Sequence, residues 1–173
     1  MQTEPKKTRI VDPILMELDQ EAETTKKLLE IVPEDKLSWR PHPRARSLGE
    51  LAMHVATLQG GVAELAHSET VELPEFPPDP EATSGAELLE AFAESLKKAK
   101  QIVAATDDAG ALAEYKITKD GDTVLAMPRI LFWRSILLNH NYHHRGQLSV
   151  YLRQLDVALP SIYGPSADTN PFG

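Results

Sequence analysis

The chain contains no cysteine. Disulfides, thiolate metal sites and cysteine nucleophiles are excluded together. A cysteine-free chain also fits a reducing compartment, and the expected location is the cytoplasm. Long apolar runs are missing too: none approaches the roughly 20 residues that span a bilayer, so no membrane partner is expected. The opening MQTEPKKTRI carries basic residues with no apolar segment behind them, and no export signal is expected. An excess of positive charge is likewise lacking, with a formal net charge of −8 and a pI near 5.2. Nucleic-acid binders gather Lys and Arg on one face, because neutralising phosphate supplies most of their affinity. Here the densest groups are Lys97, Lys98 and Lys100 and, in a loop, Arg40, Arg44 and Arg46, with the rest scattered. No nucleic-acid partner is expected.

Several catalytic motifs are absent as well. There is no Gly-rich phosphate loop and no HExxH, and neither Ser135 nor Ser149 sits in a nucleophile elbow. No paired-carboxylate pattern stands out, and Glu17, Glu21 and Glu50 read as solvated or capping residues. What the chain does have is 173 residues, 42% of them apolar. That is enough for one domain over 1–173 with a real core.

Four helical segments can be read. The first opens at Asp12-Pro13, a cap followed by proline at the first helical position, and Pro33 stops it. The loop EDKLSWRPHPRAR follows, held extended by Pro41 and Pro43. The second helix starts at Ser47-Leu-Gly-Glu50, the form of a capping box. Its apolar positions are Leu48, Leu51, Val55, Leu58, Val62 and Leu65, a stripe suited to packing in a bundle. Gly60-Gly61 interrupts it, for close helix approach or a local bend. A proline-rich crossing loop, LPEFPPDPEAT, leads to a third helix with the same capping form at Ser84 and Glu87, ending near Thr106. Asp120-Gly121 then separates the runs Tyr115–Thr118 and Thr123–Met127, the signature of a short hairpin or extended excursion. Pro128 opens the fourth helix, which is expected to run to about Leu155. The fold class that results is all-α, a four-helix bundle with that short excursion before the last helix.

Six histidines are present: His42, His54, His67, His140, His143 and His144. On a wheel advancing about 100° per residue with His140 at zero, His144 falls near 40°, Trp133 and Tyr151 near 20°, and Leu137 and Leu155 near 60°. His140 and His144 therefore share the middle of the apolar stripe, one turn apart. His143 falls near −60°, at the stripe's edge, by the same count. Two imidazoles at i and i+4 can ligate one metal ion, the helical geometry that HExxH uses. A third ligand would come from a facing helix. His54, mid-helix on the flank of the Leu51/Leu58/Leu65 stripe, is the best placed. His42 lies in a proline loop and His67 at a helix end. A hydrogen-bonded cluster of core histidines is the alternative that spacing alone leaves open.

The patterns SLGELAMH (47–54) and HNYHHRGQL (140–148) resemble the DinB-like, or DinB/YfiT-like, metal-binding proteins. The lead-in LSWRPHPRARS (37–47) and the ending PSIYGPSAD (160–168) resemble them too, so the likeness extends over nearly the whole chain. The resemblance implies a four-helix bundle with up-down-down-up connectivity and one long crossover. It implies one divalent ion (nickel, zinc or iron(II)) on His54, His140 and His144, and often a homodimer. His143 becomes a neighbour of the site. Gln147, near −20° on the wheel, would bond a ligand histidine or a bound water. Tyr151 would line the site or simply pack. Arg145 points away, as if toward an ion pair with another helix, and Gly146 would permit close packing.

Characterised members include thiol S-transferases using bacillithiol or mycothiol, a maleylpyruvate isomerase and hydrolase-like proteins. The implied function is a metal-dependent enzyme on a small-molecule substrate, with a low-molecular-weight thiol as partner. A metal-dependent hydrolase and a non-catalytic metal-binding stress protein are the alternatives. No catalytic residue beyond the metal site is assigned by sequence.

Overall fold

The computed structural model describes residues 8–173. The first seven residues, on which much of the no-export-signal reading falls, lie outside that range. Four long helical runs dominate: α1 (Asp12–Leu29), α2 (Leu48–Leu65), α3 (Gly85–Ala105) and a final run in three parts. That last run comprises α5 (Arg129–Phe132), a π-helical segment (Trp133–Asn139) and α6 (His140–Gln154). A short α4 (Asp108–Leu112) follows α3. Among the described residues no helix is long and apolar enough to cross a membrane.

The all-α expectation needs correcting, because the chain is mostly helical with a small three-stranded sheet. Strands β2 (Glu114–Lys119) and β3 (Asp122–Pro128) form the antiparallel hairpin that Asp120-Gly121 announced. Both turn residues have positive φ, 54° and 88°, as a two-residue turn that follows the strand twist requires. The strand that escaped prediction is β1 (Thr70–Glu72), which pairs in parallel with β2. Three residues just past a helix end carry too little periodicity to be recognised.

Local chemistry explains where the helices start. At α2 the Ser47 hydroxyl accepts from Glu50 N–H at 3.1 Å, and the Glu50 carboxylate accepts from Ser47 N–H at 2.8 Å. This is the predicted box, complete. At α3 only half forms, since Ser84 caps Glu87 N–H while the Glu87 carboxylate turns to Thr83. Asp12 lies inside the first turn of α1 rather than at its cap, and its carboxylate takes the Arg9 N–H and guanidinium.

Gly60 is the glycine that packing demands. A Cβ there would meet the Ser95 backbone at 2.9 Å, so α2 and α3 touch at this point. Its N–H donates to Ser95 Oγ at 2.8 Å. Gly61 and Gly146 face open space, so the packing role suggested for Gly146 does not hold.

The last run is not the continuous α-helix expected from Pro128 to Leu155. In the π segment hydrogen bonds reach five residues back and each turn widens. Trp133 and Leu138, five apart, are accordingly both buried. A wheel of fixed 100° steps cannot anticipate that change of phase.

The core falls into two apolar clusters. One gathers Leu48 to Ala56, Leu88, Phe92, Leu148 and Leu152 near the start of α2. The other gathers Ile14, Leu18, Ala99, Val103, Tyr115, Trp133, Leu137 and Leu138 near the sheet. Apart from Ser47 at the α2 cap and Arg129 at the start of α5, the buried polar residues lie where one cluster gives way to the other: Glu21 and Thr25 on α1, Gln59 on α2, Ser95 on α3, and Asn141, His144 and Arg145 on α6.

Candidate metal centre

Two of the helices that meet at this polar level bring three histidines together. Single ring nitrogens of His54, His140 and His144 all lie within 4.8 Å of one another. The rings of His54 and His140 are 5.6 Å apart between centroids, and His144 is 4.4 Å from each. His144 is buried, while His54 and His140 are partly exposed.

Each ring is oriented by its surroundings. His54 Nδ1 lies 2.8 Å from Asp79 Oδ1. Burial works against the charge of Asp79, but hydrogen bonds from His54 and Arg46 hold its carboxyl below the usual range. It is therefore a carboxylate that accepts from His54 Nδ1–H, which leaves Nε2 as the ring nitrogen not used by Asp79. That Nε2 is buried and has no hydrogen-bond partner among the described residues. His144 Nδ1 donates to Gln147 Oε1 at 2.7 Å, one turn along α6. Its Nε2 meets His140 Nε2 at 2.6 Å, so one proton at most lies between them.

Burial first, then the proximity of His54, His143 and Arg46, pushes His140 below the ordinary imidazole range. For His144 burial again leads and the value falls to about 4, although its bond to Gln147 works the other way. The two α6 rings are thus neutral at pH 7, the state in which imidazole binds metal. Nitrogen donors whose far sides are tied to a carboxylate and an amide are what a divalent ion needs.

The other sequence candidates fall around this group. His143 is exposed, with its ring 4.9 Å from that of His144 and its nitrogens outside the cluster. Tyr151 packs edge-on against Trp39 at 5.6 Å, and its hydroxyl donates to the Arg46 carbonyl at 3.5 Å, so it lies at the rim. His42 and His67 are exposed. Arg145 does form an ion pair with another helix, at 2.6 Å from Glu21. Glu21 is therefore buried rather than solvated as first read, at 5% exposure. Asp79 and Arg46 were not singled out as site residues. Asp79 is 25 residues from His54 inside a proline-rich loop, and nothing in local spacing marks its path.

The description DinB superfamily belongs to a family model that matches residues 17–148, a stretch containing all three histidines. The chain belongs to the DinB superfamily. Among curated relatives it is similar to YrdA of Bacillus subtilis (strain 168), an uncharacterized protein. The two are 26% identical over 163 residues, which cover 91% of this chain and 90% of that one. Among solved structures it resembles a DinB-like protein from Bacillus cereus ATCC 10987, with a TM-score of 0.65 and 23% identity over 86% of this chain and 95% of that one. It also resembles the DinB-like protein YjoA from Bacillus subtilis, with a TM-score of 0.67 and 18% identity over 87% and 97% of the two chains. At these identities the likeness is one of fold.

Proposed function

We propose that this DinB-superfamily chain binds one divalent metal ion through Nε2 of His54, His140 and His144. We further propose that it uses the ion as an enzyme of the thiol S-transferase or detoxification type. The observation that carries the reading is the orphaned His54 Nε2, buried and aimed at two more imidazoles. A buried polar atom without a partner costs about 1–3 kcal/mol, and a cation at that point removes the cost. Three imidazole ligands suit nickel, zinc or iron(II). Such an ion would supply Lewis acidity toward a thiol or water in the position that three protein ligands leave open.

This chain's own residues do the rest. Asp79 and Gln147 fix the ring orientations. His140 is not fully buried, which favours catalysis over an ion that only staples the helices. Asp79 is already engaged by His54 and Arg46, so it is not free as a general base, and this favours transfer over hydrolysis. From the family resemblance we carry over an up-down-down-up bundle for the four long helices and a homodimer, and from chain length and the lack of cysteine one domain over 1–173 and a cytoplasmic setting.

A turnover screen tests the reading. Nickel-, zinc- and iron(II)-loaded protein is paired with several cellular thiols and electrophiles. Thiol-dependent product should form, vanish on chelation and return when metal is restored. Turnover indifferent to chelator would contradict the reading. A large loss of stability on chelation without turnover would leave the ion a structural role.

A further inference from the structure

Arg46 is the last residue before the α2 capping box, and it stands at the rim of the histidine group. Its Nε donates to Asp79 Oδ2 at 2.7 Å, while the other oxygen of the same carboxylate takes His54 Nδ1 at 2.8 Å. One carboxylate therefore fixes both the His54 ring and this guanidinium. The Tyr151 hydroxyl holds the Arg46 carbonyl from the other side.

What Arg46 leaves unused is the informative part. Its two Nη groups make no hydrogen bond and no ion pair among the described residues. Its side chain keeps 42% of its exposure. Arg40, in the same loop, differs: both its Nη groups are bound to Glu50, and one also reaches the Ala45 carbonyl. Arg145 is buried and fully engaged. A guanidinium anchored by its Nε edge and open at its Nη edge is preorganised to grip a planar anion through two parallel bonds. In a chain of net charge −8, it also places positive charge where an anion must approach.

We propose that Arg46 is the anion-recognising residue of the histidine site, gripping a carboxylate carried by the small molecule whose head group binds at the metal. This rests on the metal reading above and narrows it. The substrate class becomes an acidic thiol, with a carboxylate a few bonds from sulfur, rather than a neutral one.

The test is a titration of cobalt(II)-loaded protein with 3-mercaptopropionate and with its neutral isostere 3-mercaptopropionamide, followed by the thiolate-to-cobalt absorption. The wild-type protein should prefer the carboxylate by about tenfold, the worth of one charge-assisted bond at a half-open site. Arg46→Gln should erase the preference while still binding both thiols, and Arg46→Lys should keep part of it. Equal affinities in the wild type overturn the proposal without any variant being needed. A preference that survives Arg46→Gln overturns it as well. If both thiols bind equally and cobalt is retained, the metal reading stands and only the role of Arg46 falls. If no cobalt is taken up, both fall.

Discussion

Two buried polar groups on α6 sit side by side and are built in opposite ways. Arg145 is closed. Its guanidinium pairs with Glu21 at 2.6 Å, donates to Thr25 Oγ1 and the Glu21 carbonyl, and bonds the Tyr163 hydroxyl of the C-terminal tail. Tyr163 in turn donates to Glu21 at 2.8 Å. The rings of Tyr142 and Tyr163 flank the charge, with centroids 5.2 and 5.1 Å from its central carbon, which adds cation–π attraction. His144, the neighbouring residue, belongs to a group that is open. The Nδ1 atoms of His54 and His144 are tied to Asp79 and Gln147, while Nε2 of His144 meets that of His140 and Nε2 of His54 has no partner among the described residues. Charge and countercharge complete the first group within the chain. The second is left with a buried ring nitrogen that nothing among the described residues satisfies. Burial alone does not distinguish structure from function here, and partner accounting does.

The largest expected effect comes from breaking the closed group. Glu21→Leu leaves Arg145 buried without its countercharge, and stability should fall by about 3–5 kcal/mol, read by chemical denaturation. Replacing both partners, Glu21→Leu with Arg145→Met, should recover most of that loss. A double variant as unstable as the single one would show that the pair is needed for more than mutual compensation.

Stripping metal probes the open group. At free metal a hundredfold above Kd, binding adds about 2.7 kcal/mol, or about 5–10 °C in Tm for a chain of this size. Chelator should therefore lower the Tm of metal-loaded wild-type protein by that order and leave His54→Ala almost unmoved. A third and smaller effect tests the support around the rings. Asp79→Asn keeps the shape but loses the charge, and metal affinity should fall about 10- to 100-fold while circular dichroism stays native. The smallest effect concerns Gln59, whose buried amide nitrogen and oxygen both lack partners. If no ligand uses them, Gln59→Leu should raise stability by about 1 kcal/mol. A loss instead would place Gln59 in a satisfied network of its own.

The sequence made much of this legible, and its failures have physical causes. Capping boxes and Asp-Gly turns are local chemistry, so the start of α2 and the hairpin could be read directly. The i, i+4 spacing of His140 and His144 survives because both lie in α6, beyond the π segment. That segment and β1 stayed hidden, one because a fixed helical step assumes its own regularity, the other because three residues show no period. Glu21 was misread because a glutamate on an amphipathic helix is ordinarily solvated. Its burial depends on Arg145, 124 residues away. Asp79 and Arg46 were invisible as site residues for the same reason: their roles depend on where loops run, and loop paths leave no pattern in spacing.

The account stands or falls on metal stoichiometry in four proteins purified from metal-supplemented medium: wild type, His54→Ala, His144→Ala and His143→Ala. Wild type and His143→Ala should each hold close to one divalent ion per chain, and His54→Ala and His144→Ala should hold little or none. Full metal retention in His54→Ala would contradict the three-histidine site outright.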